Sequence, residues 1–188
     1  MPNREECDEF VRAVGARHTL LGRERVGLTI DGVHVGIEKS AIEKTQQRFY
    51  NGWTHDHHVK NVLVFAPNGK IVIAGFYVPR KCYNSEVVDF CKIYDKLGSL
   101  YESFGIKCTA DSAFTGRKFD FIIKTGLSCR AATLEEACLM DEATSMRQSA
   151  EWGMKLYQAA YPRIKDKIRF PHMVRNYQLL LLTALITN

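Results

Sequence analysis

Three acids, Asp31, Asp111 and Glu151, could do metal chemistry, and the two in or at the end of an apolar strand, Asp31 and Asp111, are costly there unless paired or bound to a cation. Asp31 interrupts the apolar run Val26-Gly-Leu-Thr-Ile-Asp-Gly-Val-His-Val-Gly-Ile37, Asp111 closes the run that begins at Ile106, and Glu151 lies in a long helical stretch. Their separations are 80 residues (111 − 31) and 40 residues (151 − 111), so only tertiary structure can bring them together. Three convergent carboxylates repel one another, and their hard oxygens suit Mg²⁺ or Mn²⁺. Two such ions would support an in-line phosphoryl displacement, one activating a water or 3′-hydroxyl and the other stabilising the leaving oxygen. Each acid taken alone has a plainer role: Asp31 opening a turn with Gly32, Asp111 capping a helix, Glu151 exposed on a surface. Arg147 and Lys155 lie one helical turn either side of Glu151, where they can orient its carboxylate and touch phosphate, or form an exposed charge ladder.

The elements that must position these acids follow from periodicity. Apolar spacing predicts a helix over residues 5–21, then a β-branched strand over 26–37. A second strand is expected over 58–65 and a third over 70–78, joined by the tight turn Pro67-Asn-Gly69 and stopped by Pro79. From Ser85 the spacing of Val88, Cys91, Tyr94, Leu97 and Tyr101 is helical, and Gly105 closes that helix. Short strands are expected over 106–110 and 119–124, the latter ended by Gly126. Thr133 followed by Glu136 reads as a capping box opening a helix to about residue 161, where Pro162 ends or kinks it. An apolar closing helix is expected over 174–186. This is the element order of the ribonuclease-H-like α/β fold, a mixed five-stranded sheet of three antiparallel and then parallel strands flanked by helices, and other α/β domains share that order. Its central strand and a neighbour would set Asp31 and Asp111 side by side, with the long helix bringing Glu151 across from them.

Composition bounds the remaining classes. A chain of 188 residues with 46% apolar and 25% charged residues suits one domain with a sizeable core and no disordered tract. No charged leader followed by an apolar stretch opens it, and no apolar run approaches the roughly 20 residues needed to span a bilayer. The net charge is +5, and the stretch from Lys155 onward accounts for all of it. Six cations (Lys155, Arg163, Lys165, Lys167, Arg169, Arg175) are opposed there by Asp166 alone, as expected beside a phosphate polymer or on a solvated face. The six cysteines form no CxxC pair and read as buried or incidental thiols. The cluster His55-Asp-His-His58 invites a transition-metal reading, but strand alternation turns His57 and His58 to opposite faces, so they read as partly exposed polar residues. The same alternation turns His34 away from Asp31.

Five segments carry a family likeness: Asp31-Gly-Val-His-Val-Gly-Ile37, Tyr50-Asn-Gly-Trp53, Val62-Leu-Val-Phe-Ala-Pro-Asn-Gly-Lys-Ile71, Ala110-Asp-Ser-Ala-Phe114 and Arg147-Gln-Ser-Ala-Glu-Trp-Gly-Met154. In this order, from about residue 26 onward, the chain resembles the DDE endonuclease domain of PIF/Harbinger-type transposases and their domesticated relatives. The resemblance implies that Asp31, Asp111 and Glu151 are the catalytic, metal-binding acids of a divalent-metal-dependent DNA endonuclease or strand transferase. It implies Mg²⁺ or Mn²⁺ as a pair of ions, DNA as partner, a nuclear or nucleocytoplasmic setting and possible oligomers.

Two departures qualify that expectation. The family's Pro-Gly and following Asp-Ser are here Pro79-Arg-Lys-Cys-Tyr-Asn-Ser85, so Arg80 replaces glycine and Asn84 stands where a further acid is expected. A neutral amide is the weaker ligand for a hard cation, while Arg80 and Lys81 add positive charge that would aid DNA binding or replace metal charge. The approximately 25 residues ahead of the first strand form a helical lead-in with no room for a helix-turn-helix. The expectation is therefore a bare nuclease domain whose end recognition falls to another protein, in this family often a Myb-like one. The alternatives are a domesticated, catalytically weak or inactive DNA- or protein-binding module, and a structural scaffold with neither metal nor DNA.

Overall fold

The computed structural model describes residues 1–52, 54–79, 84–114, 119–125, 131, 133–160, 167, 178 and 180–182. Two short helices, α1 (Arg4–Gly15) and α2 (Thr19–Arg23), lead into β1 (Val26–Gly36), the strand carrying Asp31. The spacing predicted one helix here. The bend between the two buries Leu21 beside Val26 and Ala143, and frees its N–H to donate to the Glu142 carboxylate at 3.0 Å. α1 itself begins on a capping box in which Asn3 and Glu6 exchange backbone and side-chain hydrogen bonds.

Next come α3 (Glu43–Phe49), β2 (Tyr50–Asn51), β3 (Asp56–Phe65), β4 (Ile71–Pro79), α4 (Asn84–Phe90), α5 (Ile93–Phe104) and β5 (Lys107–Ala110). A single 3₁₀ turn, Ser112–Phe114, β6 (Ile122–Lys124) and the 27-residue α6 (Leu134–Ala160) follow. The main sheet runs β4-β3-β1-β5-β6. β1 with β3 and β3 with β4 are antiparallel, whereas β1 with β5 and β5 with β6 are parallel. The five expected strands are thus present in a mixed sheet. β2 is a sixth, pairing Tyr50 with His57 and Asn51 with Asp56 on the opening residues of β3.

Alternation along β1 feeds two cores. Leu28 and Ile30 pack with Phe10 of α1, Val87 and Val88 of α4, and Ile93 and Leu97 of α5. Val33 and Val35 pack on the other face with Leu63, Phe65, and Ala150 and Tyr157 of α6. The helix expected from Ser85 is broken between α4 and α5, where Lys92 adopts a left-handed conformation (φ 53°). Its apolar spacing survives the break because both pieces pack on one cluster.

Gly105 ends α5 at φ 68°, as the sequence led one to expect, with its N–H donated to the Tyr101 carbonyl at 2.7 Å. Thr133 accepts the Glu136 N–H at 3.1 Å ahead of α6. The expected closing helix over 174–186 falls mostly outside the described residues, as do Gly126 and Pro162. Leu180 is described, is fully buried, and its carbonyl accepts from the Tyr157 hydroxyl at 3.3 Å. No described helix is long and apolar enough to cross a membrane.

Candidate functional site

The parallel pairing of β1 with β5 ends at Ile30 opposite Ala110, and the next residue on each chain is an acid. Asp31 and Asp111 therefore stand at the same level on neighbouring strands. β1 continues through Asp31, which pairs across β3 with Leu63, so Asp31 opens no turn with Gly32. β5 stops instead. The Asp111 carbonyl accepts the Phe114 N–H at 3.0 Å, closing the 3₁₀ turn, and the Tyr94 hydroxyl of α5 donates to the Phe114 carbonyl. The strand end that carries Asp111 is thus held from both sides.

α6 brings the third acid. Val33, two residues beyond Asp31 and on the same strand face, clusters with Ala150 and Tyr157, so α6 crosses that face and carries Glu151 with it. Gly153 allows the close approach. A methyl at that position would sit 2.7 Å from Phe65 Cδ1, 2.9 Å from Cε1 and 3.3 Å from the Gly69 carbonyl oxygen. The sequence motif contains this glycine, but helix propensity alone would mark it as a weakness.

The electrostatics of the site centre on Asp31, which feels the charge of both other acids. Burial pushes the Asp31 carboxyl above its ordinary range, the Gly32 N–H and the Arg147 guanidinium pull it down, and the negative charges of Asp111 and Glu151 raise it again. Asp31 Oδ1 accepts the Gly32 N–H at 2.8 Å. Asp111 Oδ1 accepts from Ser112 Oγ at 3.1 Å, and its Oδ2 faces Arg147 Nη1 at 3.1 Å. Arg147 thus reaches across to the strand acid, and among the described residues no ion pair joins it to Glu151. Glu151 and Lys155 are exposed.

Of the other expected contacts, Lys167 is described and lies away from the acids. Lys167 pairs with Asp56 at 2.7 Å, at the end of the sheet where Gly36 lies opposite His58. That is roughly 17 Å along β1 from Asp31 at the usual strand rise. Arg80, Lys81, Arg163, Lys165 and Arg169 lie outside the described residues, and Asn84 opens α4 with its side chain outside the description. One correction concerns the histidines. His57 is buried, with only 2% of its surface exposed, its ring 5.3 Å from that of Tyr50 and no hydrogen-bond partner on either nitrogen among the described residues. Alternation does place it opposite His58, but β2 and the apolar layer cover it. A groove of about 570 Å³ between the end of α1 with Arg17 and His18 after it, the Pro67–Gly69 turn and α6, edged by Gln148 and Trp152, includes none of the three acids.

Residues 30–188 match the family described as DDE superfamily endonuclease. The chain belongs to this family. The matched span begins one residue before Asp31 and contains Asp111 and Glu151. No curated protein and no solved structure is similar enough to this chain to match it.

Membership of the DDE endonuclease family brings divalent metal into consideration. Among the described residues, no three of His, Cys, Asp and Glu come together at ion-holding spacing. The donor set nonetheless fits a hard cation in kind, being made of carboxylate oxygens, and a cation already faces it in the Arg147 guanidinium. The four described cysteines are free, two of them buried, and none belongs to this group.

Proposed function

We propose that this DDE endonuclease-family chain is a transposase-derived DNA nuclease or strand transferase of the PIF/Harbinger type. On this reading the whole chain is one domain, its mixed sheet is the ribonuclease-H-like one, and α1 and α2 are its lead-in. The observation that carries it is the pair of strand acids following Ile30 and Ala110, with Glu151 of α6 in the same field.

Asp31, Asp111 and Glu151 would hold two Mg²⁺ or Mn²⁺ ions, which when bound lower the pKa of the attacking hydroxyl and neutralise the leaving oxygen. The protein's own contribution is positional. The β1–β5 register fixes the spacing of two carboxylates, Gly153 seats the helix that brings the third, and Arg147 supplies a charge for phosphate. The basic residues of the C-terminal part, with Arg80 and Lys81, suit the backbone of DNA in a nuclear setting. End recognition belongs to a separate Myb-like protein, and pairing of two copies would match the two ends of an element.

Purified protein should nick supercoiled plasmid with Mn²⁺ and lose that activity on Asp111→Asn. Undiminished cleavage by Asp111→Asn would remove the assignment. A second reading, a domesticated binding module of weak or no activity, draws on Asn84 in place of an acid and on Asp111 being already engaged by Arg147. Cleavage that appears only in Asn84→Asp would favour it.

A further inference from the structure

Arg147 is the observation that the catalytic reading absorbs least well. A residue serving only to grip phosphate would extend from the site, yet its guanidinium lies on Asp111 at 3.1 Å, with both side chains about one-third exposed (34% and 33%). It does so one turn before Glu151, where a local i,i+4 pair was available. The pairing leaves a donor unmet, because Arg147 Nε is buried without a hydrogen-bond partner among the described residues. A buried donor left unpaired is unfavourable, so something must offset it. The offset is the charge it meets: Asp111 on contact, with Asp31 and Glu151 in the same field. Both Asp111 oxygens are occupied by protein groups, one by Ser112 and the other by Arg147. Each oxygen keeps a second lone pair, but a divalent ion bound there would stand beside the guanidinium, and the two cations repel one another.

We infer that Arg147 is a built-in stand-in for metal charge, closing the acid cluster in the metal-free protein and leaving Asp111 when a divalent ion enters. The inference rests on the metal-site reading and deepens it. Metal entry becomes an exchange of cations, and the released guanidinium, still on the helix of Glu151, is delivered beside the site where it can meet a DNA phosphate. A ligand shifts such an equilibrium only through its differential affinity for the two states, so Arg147 lowers apparent metal affinity and makes the site responsive to DNA and metal together.

The test is calorimetric titration of the intact chain with Mn²⁺, without DNA, for wild type, Arg147→Gln and Arg147→Lys. Losing a charge-assisted contact of this kind should tighten Mn²⁺ binding by about tenfold in Arg147→Gln, and Arg147→Lys should stay near wild type. The metal-free Arg147→Gln protein should also melt earlier and gain more from added Mn²⁺. A measurement on unaltered protein guards against a variant that fails to fold: the Arg147 Nε–H resonance should move on saturation with Mg²⁺. Mn²⁺ affinity unchanged or weakened in Arg147→Gln, or an unmoved resonance in wild type that binds Mg²⁺, overturns the inference alone. Absence of metal binding in all three proteins overturns the metal-site reading as well.

Discussion

Replacing Gly153 with alanine sets two effects of known size against each other. Gly153 lies inside α6, where alanine is favoured over glycine by about 0.8–1.0 kcal/mol. The added methyl, however, would lie 2.7 Å from Phe65 Cδ1, whereas carbon atoms rest no closer than about 3.5 Å, a shortfall of about 0.8 Å. Phe65 is fully buried among Leu63, Ile71, Ala150 and Tyr157, so its ring cannot swing aside, and the Gly69 carbonyl blocks the other direction at 3.3 Å. Overpacking of this kind costs about 1–3 kcal/mol, leaving a net loss of about 1 kcal/mol after the propensity gain. Gly98, inside α5, is the control: its methyl would meet Phe121 Cε1 at an ordinary 3.6 Å, so Gly98→Ala should stabilise by about 0.4–1 kcal/mol. Urea unfolding of the two variants measures both. The displaced helix also carries Glu151, and a shift approaching 1 Å should lower plasmid nicking by on the order of 10²-fold. A Gly153→Ala protein stabilised to the same extent as Gly98→Ala would refute the close-packing argument.

Asp31→Asn should raise the melting temperature of the metal-free protein, with a gain of about 0.5–2 kcal/mol, because it removes a partly buried charge facing two other acids while keeping an oxygen for the Gly32 N–H; an unchanged or lower melting point contradicts this. His57 is held below the ordinary histidine range first by burial, with Lys39 and Lys167 adding to it and Asp56 opposing. Its folded pKa is lower than its unfolded one, so the stability it contributes is complete above about pH 6.5 and is lost as pH falls through the folded value. Melting curves between pH 5 and 7.5 should show that decline in wild type and a flatter profile in His57→Phe. Thr133→Ala removes the acceptor for the Glu136 N–H and should cost about 1 kcal/mol in denaturant unfolding, with Thr133→Ser near wild type.

The places of the two strand acids were legible in the sequence because Asp31 interrupts one apolar run and Asp111 closes another, and those runs pair in parallel up to Ile30 and Ala110. The hairpin of β3 and β4 was legible because Pro67-Asn-Gly69 punctuates two alternating segments. What escaped had tertiary causes. The helical spacing of Val88, Cys91, Tyr94 and Leu97 continues across Lys92, so periodicity could not show the break there. α3 and β2 are too short to carry a period, and β2 is what buries His57 between its charged neighbours. Local rules paired Arg147 with Glu151, whereas the fold supplied Asp111, the residue just past β5, a partner that no i,i+4 argument contains.

The pairing of β1 with β5 also governs when the acid cluster can exist. Antiparallel neighbours close through a tight turn, but parallel ones need a long crossover. Here the crossover includes the β3–β4 hairpin, α4 and α5, and Asp111 follows Asp31 by 80 residues (111 − 31). Contacts of such separation carry a large loop-closure cost and slow the folding of chains that depend on them. Glu151 depends on the sheet as well, since its helix seats Gly153 against Phe65 of β3. The acid cluster is thus a property of the closed sheet and the helix packed on it, and no local segment of the chain could hold it alone.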